Sequence, residues 1–185
     1  GGGVISANAS AELAILAEKY NMPVITTPEG KGALPDSHPL LLGVISARRP
    51  EDPITEYFKA SDVIVAVGTR FADAPVEKSQ QVIQIDIDPD EIGRNHDKTL
   101  EVLGDARRSM ANISAQHERI QDNKALKSVT DIRAQRAIFA QETQPQGGFV
   151  KAIRDALPVN GILVPDMTQI GYFARMYFPS HEPRT

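Results

Sequence analysis

The run Asp62-Val-Ile-Val-Ala-Val-Gly68 constrains the fold of this chain more than any other stretch. Its apolar residues follow one another without the polar alternation of a strand that keeps one face in water. A continuous run of this kind belongs to a strand covered on both faces, as in a parallel sheet between layers of helix. Val82-Ile-Gln-Ile-Asp-Ile-Asp88 repeats the pattern, and Pro23-Val-Ile-Thr-Thr27 and Leu100–Leu103 are shorter versions. Helical spacing fills the intervals. Leu13, Leu16, Ala17 and Tyr20 share one face of a helix over 8–20, which Asn8 or Ser10 can cap and Asn21 and Pro23 end. A second helix starts at Gly104-Asp105, with Ala106, Met110, Ile113, His117 and Ile120 as its stripe. A short helix is expected near 54–60, and the Gly- and Pro-rich stretch 28–53 reads as a long connection. The alternation predicts an α/β fold: a parallel sheet flanked by helices on both faces, a Rossmann-type three-layer sandwich.

The 185 residues suffice for one core, with chain left for part of a second domain. The expected division is a central α/β domain over 1–120, a linker with a helix over 121–148, and the start of another domain over 149–185. That last part should hold a helix over 149–157, a strand at Ile162–Val164 and a helix over 169–178. A net charge of −4 with no long basic run points away from nucleic acid. No apolar run approaches the ~20 residues of a membrane helix. The absence of cysteine removes disulfides, thiolate nucleophiles and cysteine zinc sites, and it agrees with a cytoplasmic location. His38, His96, His117 and His181 lack metal-ligand spacing, so no metal site is expected within the chain. The opening Gly1-Gly2-Gly3 is of a type that follows a strand, which gives the expectation that the chain starts inside a larger protein.

Ligands of open parallel sheets bind beyond the carboxyl ends of the strands. Four segments should converge there. Gly2 and Gly3 precede the first helix, where bare N–H groups can meet a phosphate. Gly68, Thr69 and Arg70 follow the second strand, where glycine permits close approach and arginine can bond a diphosphate. Asp86 and Asp88 end the third strand and can accept from ribose hydroxyls. Gly104 and Asp105 follow the fourth and offer backbone groups to an adenine edge. Each also has a plain structural reading: tight corners for the glycines, a surface ion pair for Arg70, and helix caps for Asp88 and Asp105.

Taken in order, these segments resemble the central domain of the thiamine-diphosphate-dependent enzymes of the acetohydroxyacid synthase and pyruvate oxidase family. The resemblance runs through Gly1–Leu13, Pro23–Gly32, Asp36–Gly43, Ala60–Phe71, Ile83–Gly93 and Leu103–Ala106. Ile162–Asp166, Gln169 and Pro183–Thr185 resemble the opening of the family's C-terminal cofactor domain, where Gln169 would lie near the cofactor diphosphate. The resemblance implies a homo-oligomer, dimer or tetramer, acting on 2-oxo acids with thiamine diphosphate and Mg²⁺. It implies FAD, ADP or no nucleotide in the central domain, with Gly68 and Arg70 at the dinucleotide, Asp86 at the ribose and Gly104–Asp105 at the adenine. Val44–Arg49 and Arg70–Ala74 depart from the family's flavin-binding stretches. The catalytic glutamate and the Gly-Asp-Gly metal motif of the family have no counterpart here, so the chain alone is expected to be inactive. The alternatives are a structural module with a vestigial nucleotide site, and a domain like those of NAD-dependent deacetylases or electron-transfer flavoproteins. The lack of a full GxGxxG pattern weighs against the latter.

Overall fold

A computed structural model describes residues 1–97, 99–116, 118 and 124–185. His117, Ile120 and positions 121–123 of the expected linker lie outside the described residues. The strands are β1 (Val24–Thr26), β2 (Leu41–Val44), β3 (Val63–Val67), β4 (Gln81–Asp86) and β5 (Thr99–Leu103). The helices are α1 (Gly2–Ser6), α2 (Ser10–Tyr20), α3 (Pro53–Lys59), α4 (Ala106–Gln116), α5 (Lys124–Glu142), α6 (Gln146–Ala156) and α7 (Gln169–Tyr177).

Every strand pair is parallel. β1 pairs with β2 in one ladder, and β3, β4 and β5 form another in that order. β3 meets β4 from Val63 opposite Gln81 to Val67 opposite Ile85. Helices cover both faces, which is why the β3 run is apolar throughout. Val65 and Val67 point into a core with Val4, Leu16, Ile85 and Met110, under α2 and α4. Ile64 points the other way, into a core with Leu42, Ile54, Phe58 and Val129, under α3 and α5. Each buried aliphatic side chain of this size contributes about 1.5–3 kcal/mol relative to exposure. The expected α/β three-layer fold is therefore present.

Several local expectations change. β2 lies inside the stretch read as a connection. Its Leu40-Leu-Leu-Gly-Val44 signal is short and surrounded by Gly and Pro, yet pairing with β1 stabilises it. Gly2 and Gly3 are not a bare loop but the first turn of α1, which Gly1 precedes as N-cap. The N-cap of α2 is Ala9, with no side-chain capping bond, so neither Asn8 nor Ser10 caps it. Asn21 ends α2 in the left-handed conformation, as expected. Ile162–Val164 is not a strand: Ile162 and Val164 are exposed, and a strand without a neighbour leaves its backbone unpaired. α5 supplies the helix expected in the linker, and its Val129 packs into the second core.

Polar bonds fasten the last third of the chain to the sheet layers. Asp52 and Arg136, both about 7% exposed, form an ion pair between α3 and α5. Asp52 Oδ1 also accepts from Ile54 N at 3.0 Å and caps α3. The Tyr177 hydroxyl donates to Asp52 Oδ2 at 3.3 Å, and the Arg136 guanidinium lies 4.9 Å from the Tyr177 ring centre. Arg133 donates to His38 O and Asp36 O, and Asp36 Oδ2 accepts from Ser180 N at 2.7 Å. α6 and α7 share a third core of Val150, Phe173, Ala174 and Phe178. Among the described residues no helix is long and apolar enough to cross a membrane.

Candidate functional site

The carboxyl ends of the parallel strands align the expected glycines in a row. Gly3 N donates to Gly68 O at 2.9 Å, Gly68 N to Ile85 O at 2.9 Å, and Gly104 N to Asp86 O at 2.8 Å. Gly3, Gly68, Asp86 and Gly104 thus occupy successive places along one rim. The backbone explains two of the glycines. Gly68 has φ +57°, and a Cβ there would lie 2.7 Å from Gly3 Cα. A Cβ on Gly3 would lie 2.6 Å from Gly68 Cα, so α1 can dock on the end of β3 only if both residues lack side chains.

Around this row the loops are held by buried amides. Gln84, only 2% exposed, sits in the middle of β4. Its Nε2 donates to Thr69 O at 3.2 Å and Glu91 O at 3.0 Å, and its Oε1 accepts from Gly93 N at 3.0 Å. One side chain therefore ties the loop after β3 to the loop after β4. Sequence reasoning left Gln84 out, although a glutamine inside an apolar strand is the signal for such a role. Gln80 is a similar omission: it is 1% exposed and donates to Phe58 O and Ser61 O, each at 2.6 Å.

The other expected site residues take different local roles. Asp86 and Asp88 shape the loop after β4, with Asp86 Oδ1 accepting from Asp88 N at 3.1 Å and Asp88 Oδ1 from Asp90 N at 3.0 Å. No helix follows Asp88, so the helix-cap reading is replaced by a turn. Asp105 does cap a helix: its Oδ1 accepts from Arg108 N at 3.0 Å ahead of α4. Thr69 Oγ1 accepts from Phe71 N at 3.1 Å and braces the turn that exposes Arg70. Gln169 is exposed in the first turn of α7; the cavity beside the rim is lined by Tyr172, Arg175 and Met176 of that helix but not by Gln169.

Beside the rim lies a cavity of about 860 Å³, lined by Gly1–Gly3, β1, β3 and the loops that follow them. Its charged walls sit at the carboxyl ends: Glu29, Arg48, Arg49, Arg70, Asp73 and Arg175. Arg175 pairs with Glu29, and Arg49 reaches Glu51 at 3.9 Å and stacks 5.7 Å from the Phe139 ring centre. Arg48 and Arg70 are exposed and have no carboxylate partner among the described residues. Arg48 was absent from the expected site because it lay in the apparent connection. The Gly1 amine is buried here and donates to Val67 O at 2.8 Å. Burial pulls it down to about 5, against the carboxylates of Asp86 and Glu29.

A parallel sheet between helices, with glycines gathered at its carboxyl rim, is a Rossmann-like α/β arrangement. The chain belongs to the family described as thiamine pyrophosphate enzyme, central domain, which matches residues 1–113. It is 35% identical over 191 residues to the acetolactate synthase large subunit of Parasynechococcus marenigrum, covering 91% of this chain and 29% of that protein. It is 32% identical over 170 residues to a pyruvate oxidase of Lactiplantibacillus plantarum, covering 89% of this chain and 28% of that protein. It is 30% identical over 193 residues to a probable 2-ketoarginine decarboxylase of Pseudomonas aeruginosa, covering 100% of this chain and 34% of that protein. The chain thus spans about a third or less of these relatives.

Proposed function

We propose that this chain is the central domain, followed by the opening of the cofactor domain, of a thiamine-diphosphate enzyme acting on 2-oxo acids. Domain bounds of 1–120, 121–148 and 149–185 express that reading. The similarity to a pyruvate oxidase and to a probable 2-ketoarginine decarboxylase supports it, since pyruvate and 2-ketoarginine are both 2-oxo acids. When bound, thiamine diphosphate supplies the electron sink for breaking the bond next to the oxo group. The described residues do not form a complete seat for it. Asp166, Met167, Thr168 and Gln169 are all exposed and close no pocket. Among the described residues no cluster of three or more His, Asp or Glu side chains is placed to hold a metal ion. Mg²⁺ belongs to the proposal for the whole protein, and the chain by itself is proposed to turn over no 2-oxo acid. A cytoplasmic homo-oligomer, dimer or tetramer, remains part of the proposal for the whole protein.

The second part of the proposal is that the rim takes a nucleotide of the FAD or ADP type. Gly68, Thr69 and the α1 turn at Gly2–Gly3 present backbone, while Arg48 and Arg70 offer two unpaired cations to a diphosphate. In this reading Asp86 and Asp88, in the loop after β4, face the ribose, and Gly104–Asp105, one strand further, the adenine. The unpaired Arg48 and Arg70 carry this reading. The competing reading, a rim kept for packing alone, draws support from the mutual approach of Gly3 and Gly68. Calorimetric titration of the protein with FAD and with ADP separates the two. The expected result is micromolar binding of one of them, weakened about tenfold in Arg70→Ala with the melting temperature unchanged. Absence of binding to both ligands leaves the packing role.

A further inference from the structure

Arg70 has no carboxylate partner among the described residues, yet the backbone on both sides of it is tied down. The residue after it, Phe71, has φ +58°, in the left-handed region that bulky side chains rarely enter. Strain of this kind persists only where the surroundings over-determine it, and it gathers at functional sites. Contacts from several elements hold it here. Thr69 Oγ1 accepts from Phe71 N at 3.1 Å, and the Phe71 ring packs into the second core, its centre 6.3 Å from that of Phe58. Gln84 Nε2 donates to Thr69 O at 3.2 Å, and Asn95 Nδ2 donates to Arg70 O at 2.7 Å.

The last two bonds close a ring. Gln84 also donates to Glu91 O and accepts from Gly93 N, each at 3.0 Å, so it fixes the turn over 91–95. That turn carries Asn95, which reaches back 25 residues to Arg70 O. The peptide units before and after the Arg70 Cα are therefore both anchored, to β4 and to the loop that follows it. The Arg70 side chain itself stands exposed in the wall of the cavity.

The two amides differ in what they contribute. Gln84 is buried and satisfies backbone groups that water reaches poorly, so its bonds serve the fold. Asn95 and Arg70 are both exposed. Water would bond Arg70 O equally well, so this bond adds little to folding. What it does fix is the orientation of the peptide between Arg70 and Phe71, and with it the direction in which the Arg70 side chain leaves the backbone.

We propose that Asn95 is a positioning residue for Arg70: it holds the arginine's backbone so that the guanidinium meets the diphosphate of a nucleotide at the rim. The proposal rests on the nucleotide reading of the rim given above. With both flanking peptides fixed at folding, Arg70 has only side-chain freedom left to lose when it closes on an anion. A guanidinium bonds two phosphate oxygens through a rigid fork, so its affinity depends on direction as well as on charge. Asn95 itself touches no ligand in this arrangement and acts through Arg70 alone.

A double-mutant cycle on the full 185-residue chain tests this, with FAD and ADP titrated into Asn95→Ala, Arg70→Ala and the double variant. Asn95→Ala should weaken binding about fivefold, the worth of one ordinary hydrogen bond. The double variant should bind like Arg70→Ala, about tenfold weaker than the parent rather than about fiftyfold, because Asn95 has nothing left to position. In an Arg48→Ala background, Asn95→Ala should keep its full effect. Nuclear magnetic resonance relaxation supplies a readout that needs no ligand: the order parameters of the Arg70 and Phe71 amides should fall from about 0.85 toward about 0.6 in Asn95→Ala. Unchanged affinity in Asn95→Ala, an equal loss in the Arg70→Ala background, or retained order at Arg70 and Phe71 would overturn the proposal. Absence of FAD and ADP binding in the parent chain would remove the nucleotide reading, and the order parameters would then decide by themselves whether Asn95 holds Arg70.

Discussion

Arg136→Met tests whether a buried ion pair fastens the last third of the chain to the sheet layers. The substitution keeps most of the side-chain stem and deletes the guanidinium. Asp52 is then left buried with Ile54 N at 3.0 Å and the Tyr177 hydroxyl at 3.3 Å, neither of them charged. Removing one member of a buried pair costs about 3–5 kcal/mol, because the remaining charge loses its counter-charge but stays out of water. Loss of the guanidinium from the Tyr177 ring, now 4.9 Å away, adds about 0.5–1 kcal/mol. The expected total is about 3.5–6 kcal/mol. Asp52→Asn keeps a side chain able to cap α3 and removes the negative charge. In the double variant the orphaned charge is gone, so the combined loss should be about 2 kcal/mol less than the sum of the single losses. Urea denaturation followed by circular dichroism and tyrosine fluorescence measures all four proteins, with coincident transitions checking two-state behaviour. A single-variant loss below about 1 kcal/mol, or simple additivity, would refute the argument that burial makes this pair mutually dependent.

Gly68→Ala should destabilise by at least about 2 kcal/mol, since it adds left-handed strain to a Cβ placed 2.7 Å from Gly3 Cα; an unchanged urea midpoint would contradict the docking of α1 on β3. Gln84→Leu should cost about 2–3 kcal/mol by orphaning Thr69 O, Glu91 O and Gly93 N, and it should weaken any nucleotide binding at Arg70. The check is a melt paired with a titration, and retained stability would show that water replaces the amide. Burial pulls Lys31 from 10.5 down to about 8, while its Nζ donates to Ala174 O and Arg175 O at the end of α7. Between pH 8 and 10.5 the unfolded chain holds more protons, so stability should rise with pH through that window, by up to about 3 kcal/mol. Melts from about pH 7.5 to 9.5 should show this slope, and Lys31→Met should flatten it; an equal slope in both proteins would locate the effect elsewhere.

Local physics made much of this protein legible before any coordinates. The continuous apolar run at Val63–Val67 demanded cover on both faces, and Ile64 and Val65 do face different cores. Asn21 ends α2, and Asp105 caps α4, because capping depends on neighbours only a few residues away. The alignment of Gly3, Gly68, Asp86 and Gly104 also followed from sequence, since in a parallel sheet every strand delivers its carboxyl end to the same rim. Tertiary structure decided the rest. β2 could be recognised only through its pairing with β1, and Ile162–Val164 stays unpaired despite a strand-like sequence. Gln84, Gln80 and the Asp52–Arg136 pair each reach partners between 7 and 84 residues away, contacts that no local pattern encodes. Arg48 lines the cavity beside the rim only because β2 delivers it there. Periodicity and capping are properties of adjacent residues, whereas polar satisfaction depends on what the folded chain brings beside them.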